Sequence, residues 1–140
     1  EISSIRAIDL SSGAVSTLAG SGGLFDFGDR DGRGRQARFQ HPLGVALHGH
    51  KLFVADTFNH VVRTIDLSTS EVSTWLGTGK PEKGTPDAIG MFEPGGISVG
   101  GDRLYVADTN NHRILTVDIP SENVRALDIR LPQESAKVGK

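Results

Sequence analysis

Apolar and polar residues alternate at period two along nearly the whole chain, in short runs broken by Gly, Ser, Asp and Asn. Runs of this kind bounded by turn formers predict β-strands joined by hairpins. Residues 1–20 predict two strands divided by Ser11-Ser-Gly13. Residues 44–47, 52–55, 61–67 and 72–76 predict four more, and residues 96–99, 103–107, 113–119 and 123–129 another four. Between them, Gly20 to His41 is a long glycine-rich connector, in which Leu24, Phe25, Phe27 and Phe39 are candidate anchors. A connector far beyond the usual length of about 4 to 6 residues is expected to be functional or packed by its own side chains.

The two sets of four strands are copies. A shift of 52 lays Pro42–Leu76 on Pro94–Asp128 without a gap, with 13 of 35 positions identical. A third, partial copy runs from Ile5 to Thr17 and matches Val62–Thr74 at a spacing of 57. An internal period near 40 to 50 residues, built from short strands, marks a propeller blade or a similar array. The expected fold is therefore all-β: four-stranded antiparallel meanders, about two and a half blades of a propeller. Residues 1–20 read as the second half of a blade, 21–41 as a connector, 42–79 and 80–130 as full blades, and 131–140 as a tail. Val, Ile, Leu and aromatic residues occupy both parities of the strands, so both faces of each sheet need cover from a neighbour. A closed propeller takes roughly four to eight blades. The chain is thus expected to assemble with further blades or with other copies.

A net charge of -2 and a pI near 6.2 give no global attraction to nucleic acid or anionic lipid. The chain has no Cys, which excludes disulfides and thiol chemistry within it. No apolar run approaches the ~20 residues of a membrane helix. Gly28 to Gly34 is glycine-rich but opens no amphipathic helix, so it is not a phosphate loop. No nucleophile elbow is present, and no cofactor is expected.

Asp56, Asn59 and His60 recur as Asp108, Asn111 and His112. Recurrence in each unit points to architecture: Asp and Asn satisfying turn N–H groups, and a His bridging to a neighbouring strand or blade. Asp9, Asp66 and Asp118 also recur, each between apolar residues, and read as turn locks or edge guards. Positions outside the repeat are better candidates for function. Arg30, Arg33, Arg35 and Arg38 crowd the connector beside Asp29 and Asp31, and arginine forks suit a carboxylate, a phosphate or an acidic partner. The alternative is a solvated or self-paired loop.

Asp56-Thr-Phe-Asn-His60 and Asp108-Thr-Asn-Asn-His-Arg-Ile114, preceded by Pro94-Gly-Gly-Ile97 and Leu104-Tyr-Val-Ala-Asp108, resemble the NHL repeat, named for its Asn-His-Leu signature. The resemblance implies a β-propeller, most often six-bladed. Leu24-Phe-Asp-Phe-Gly-Asp-Arg-Asp-Gly-Arg-Gly34 and Gln40-His-Pro-Leu-Gly44 resemble the branch of that family in which a thioredoxin-like domain precedes the propeller. That branch implies a docking role for the propeller, with a protein partner. Two other roles occur on propellers. One is a lyase or lactonase with an axial metal, for which His41 and Glu93, each before the proline that opens an inner strand, are the candidate ligands. The other is RNA binding, which only the arginine-rich connector favours.

Overall fold

The computed structural model describes residues 2–83 and 89–129, so the tail expected at 131–140 lies outside them. β1 (Ile5–Ile8) and β2 (Val15–Ala19) form a hairpin. β3 (Gly32–Arg33) and a 3-10 turn (Gly34–Gln36) lie in the connector. β4 (Pro42–His48), β5 (Lys51–Asp56), β6 (Val61–Asp66) and β7 (Glu71–Leu76) form the first full meander. β8 (Pro94–Gly100), β9 (Arg103–Asp108), β10 (Arg113–Asp118) and β11 (Val124–Ala126) form the second. Every pairing is antiparallel, as in the blades of a propeller.

Three details differ from the sequence reading. β4 and β8 begin two residues before the apolar runs expected at 44–47 and 96–99, at Pro42 and Pro94, the prolines read as opening the inner strands. Proline is tolerated at the first residue of an edge strand, where no ladder donor is needed. β11 stops at Ala126, short of Ile129. The connector is also not loop throughout. Gly32 pairs with Val72 and Arg33 with Glu71, adding a fifth strand to the first full sheet. β7 would otherwise present an open edge, and the connector covers it.

The two-faced packing expected from the parity of apolar residues is present. Phe53, Val62 and Leu76 join Met91, Leu104, Val106, Leu115 and Val117 in one core between the two full sheets. The opposite face of the first full sheet, with Val54, Ile65 and Val72, joins Ile5, Ala19, Ala37 and Phe39 in a second, a bulge between β6 and β7 turning Val72 away from the side that Leu76 faces. One sheet thus serves two cores through the alternation of its strands. Trp75 packs edge-on to Phe53 at 4.8 Å between ring centroids and donates Nε1–H to Glu122 Oε1 at 2.9 Å, fastening the outer part of the same interface. At the inner part, β4 packs on β8. Gly44 permits this approach: a Cβ there would lie 2.5 Å from the Gly95 carbonyl oxygen. On its other side β4 leaves Leu43, Val45 and Leu47 exposed.

Candidate functional site

The apex of each full sheet, where the second strand turns into the third, carries the repeated signature on a 3-10 turn: Thr57–Asn59 and Thr109–Asn111. Asp56 and Asp108 are fully buried there. Neither carboxylate caps its own turn, contrary to the expectation from sequence. Instead each reaches back to the connector that enters its sheet. Gln40 donates its backbone N–H to Asp56 Oδ1 at 2.7 Å, and Phe92 does the same to Asp108 Oδ1 at 2.7 Å. Asn59 Nδ2–H bonds Asp56 Oδ2 at 2.8 Å and the Gly28 carbonyl at 2.8 Å. Asn111 repeats this on Asp108 Oδ2 at 2.8 Å and the Glu82 carbonyl at 2.9 Å. The Asp–Asn pair is a clasp holding two points of the connector to the apex. Burial pushes the Asp56 carboxyl up to about 6 against the donors on it, Gln40 first, then Asn59 and Arg63.

His60 and His112 follow the clasp with left-handed backbone, at φ 57° and 51°. Glu93 donates its N–H to His60 Nδ1 at 3.1 Å, and Thr57 Oγ1–H donates to the Pro94 carbonyl at 2.9 Å. Both bonds cross from the first full sheet to the second, as expected of a bridging histidine. In the partial copy Ser3 stands where His60 does, and its Oγ accepts the His41 N–H at 3.2 Å.

Asp9, Asp66 and Asp118 lock turns. Asp9 Oδ1 accepts the N–H of Ser11 at 3.0 Å and of Ser12 at 2.8 Å; Asp66 Oδ1 accepts Ser68 N–H at 2.8 Å; Asp118 Oδ1 accepts Ser121 N–H at 3.0 Å. Serine hydroxyls add to each, and these bonds hold all three carboxyls below the usual range, Asp66 at about 2.

The connector's acids are engaged in a way its sequence does not announce. Arg63, in mid-strand between Val62 and Thr64, is fully buried. Its guanidinium pairs with Asp29 at 3.0 Å, with Asp56 at 3.2 Å and with Asp31, and lies 5.4 Å from the Phe39 ring centroid. Sequence reasoning missed this residue. Its signal was a lone cation in the strand pattern Val61-Val-Arg-Thr-Ile65, in a chain whose connector holds three acids. In the second sheet Leu115 occupies that position, and Arg113 does the clasp's work from two residues earlier, 2.7 Å from Asp108. The connector's remaining acid, Asp26, pairs with Arg38 at 2.7 Å. Arg30 bonds only the Gln36 carbonyl and Arg33 the Thr69 carbonyl at 2.8 Å, while Arg35 is exposed. Among the described residues, none of these three has a carboxylate partner.

His41 and Glu93 occupy equivalent places, both at positive φ. His41 stacks on Phe58, with centroids 4.6 Å apart and planes at 14°. Glu93 accepts from Asn110 Nδ2 at 2.8 Å. Among the described residues no group of three or more His, Asp or Glu side chains is disposed to hold a metal ion. Of the four candidate anchors in the connector, Phe39 is buried, while Leu24, Phe25 and Phe27 face solvent.

Residues 93–116 match the NHL repeat family. The chain is 41% identical over 140 residues to NHL repeat-containing protein 2 of Homo sapiens, covering 92% of this chain and 19% of that protein. It is 41% identical over 128 residues to Protein SUPPRESSOR OF QUENCHING 1, chloroplastic, of Arabidopsis thaliana, covering 85% of this chain and 12% of that one. The chain therefore spans about a fifth or less of the length of these relatives. Among solved structures, a protein of unknown function from Bacteroides thetaiotaomicron superposes with a TM-score of 0.69 at 21% identity, over 90% of this chain and 30% of that one. An auxiliary nutrient binding protein from Bacteroides ovatus gives 0.64 at 17%, over 88% and 32%. At those identities the likeness is one of fold. Repeated clasps, antiparallel meanders and similarity to the NHL repeat-containing proteins together identify this chain as NHL-repeat β-propeller blades.

Proposed function

We propose that this chain is a docking platform for a protein partner, within a larger protein of the thioredoxin-like and NHL kind. One observation carries the reading: Arg30, Arg33 and Arg35 face solvent, and among the described residues none of them lies within ion-pair distance of a carboxylate. Desolvating such cations without an opposite charge is unfavourable, so an acidic surface is the partner they suit. The polar groups of the apex are engaged in holding the fold, which leaves the connector as the variable element. The relatives are several times longer than this chain, which supports a role inside a larger assembly.

The test is replacement of Arg30, Arg33 and Arg35 by Glu in the intact protein, with bound partners quantified by mass spectrometry after nuclease treatment. Partners of the unaltered protein are expected to fall at least tenfold. Retention at the original level removes the connector from the docking surface. Loss of the partners on nuclease treatment alone, with steep salt dependence of RNA affinity, replaces this reading with nucleic-acid binding.

A further inference from the structure

The rings that the connector does not bury gather at one place. Phe25, Phe27, Phe58 and His41, with Ser3 and Gln40 at the edge, line a depression of about 220 Å³. Phe25 is 72% exposed, Phe27 53% and Phe58 46%. Phe25 also holds φ at 63°, a conformation costly for a bulky side chain, and its ring points to solvent rather than into a core. The repeat does not require this arrangement. At the equivalent positions of the second sheet, Glu93 and Asn110 replace His41 and Phe58 and satisfy each other by a hydrogen bond.

The depression is joined to the exposed arginines. Phe25 and Phe27 flank Asp26, whose carboxylate pairs with Arg38, and the Arg38 guanidinium also donates to the Arg35 carbonyl at 2.9 Å. Aromatic cup and cationic loop are therefore parts of one folded unit. The cup is smaller than the ~300–1,000 Å³ of a cofactor or drug pocket, and its size suits one side chain.

We propose that the connector binds an extended acidic peptide, taking one aromatic or proline ring into the Phe25–Phe27–Phe58–His41 cup while flanking carboxylates meet Arg35 and its neighbours. Aromatic-lined grooves take such rings from extended segments, and the charge complementarity sets the partner's sign. This inference rests on the docking role proposed above.

A displayed random-peptide library selected on the intact protein tests it. Enriched peptides are expected to carry Phe, Trp or Pro among Asp and Glu. Their synthetic forms, measured by fluorescence anisotropy, should bind at least tenfold more weakly to the Phe25→Ala/Phe27→Ala double variant and to Arg35→Glu. Both phenylalanines are exposed, so the thermal midpoint of the double variant should be unchanged. Acidic peptides that bind the double variant equally well overturn the cup and leave the arginine reading standing. Acid-free peptides that need the cup overturn the arginine reading. No enrichment over bare matrix overturns both. A change in the protein's own sedimentation mass in the double variant makes a second copy the occupant, and overturns the peptide.

Discussion

Glu93 donates its backbone N–H to the imidazole Nδ1 of His60, 3.1 Å away and one sheet over. The bond needs both the ring and the left-handed turn that aims it. His60→Ala removes the acceptor and leaves a partly buried N–H without a partner, a cost of about 1–3 kcal/mol. Denaturant unfolding of the intact protein, followed by Trp75 fluorescence, measures it. Trp75 is the one tryptophan of this chain and packs against the same interface. An unchanged midpoint would show that the histidine bridge contributes nothing.

Arg63 is expected to be the most sensitive charged position. Arg63→Ala leaves Asp56 buried without its cation, and breaking a buried pair from one side costs about 3–5 kcal/mol. Arg63→Lys keeps the charge but cannot fork to Asp29 and Asp31 together, so it should recover only part of the loss. Urea midpoints for the two variants give the order.

Stability should respond to pH in two opposed windows. The Asp56 carboxyl lies at about 6, above its ordinary 3.8, so its ionised form is penalised in the fold. Its contribution is fully present below about 3.8 and is lost as pH rises through 6. The turn locks Asp9, Asp66 and Asp118 are depressed, so theirs is present above 3.8 and lost as pH falls below it. Relative to the parent protein, Asp56→Asn should change the slope of stability between about pH 4 and 6, and Asp66→Asn should change it below 4. Urea titrations across pH 3 to 8 distinguish them; a shared window would contradict the assignment.

Gly44→Ala tests the inner contact of the sheets. The new methyl meets the Gly95 carbonyl at 2.5 Å and Ile97 Cγ2 at 2.9 Å. Overpacking of this kind costs about 1–3 kcal/mol. Glycine to alanine at Gly101, where φ is 60° but nothing lies within 4 Å, carries only the backbone strain and should cost about 1–2 kcal/mol. Thermal melts of the pair separate packing from conformation.

The sequence carries the strands because alternation and turn residues are local, and it carries the blade order because the text repeats. The turn role of Asp66 was legible for the same reason: Ser68 and Thr69, its partners, stand two and three residues away. The clasp was not. Asn59 meets Gly28 across 31 positions and Asn111 meets Glu82 across 29, and nothing periodic relates those residues. Nor was β3, which exists because the edge of β7 is open nearby. The arginine cluster was visible, but its charge balance was not. Asp29 and Asp31 look like partners of the arginines beside them until the fold hands both to Arg63.

Each clasp grips the strand of chain that enters its own sheet, never the one that leaves it. The natural module therefore runs from a connector's first anchor, at Gly28 or Glu82, through the sheet that follows. Anchored at two points, the stretch between can lengthen without disturbing either end, and the first connector has done so relative to the second. New recognition surfaces can thus be grown on this scaffold by insertion between the anchors, while the load on the sheets stays constant.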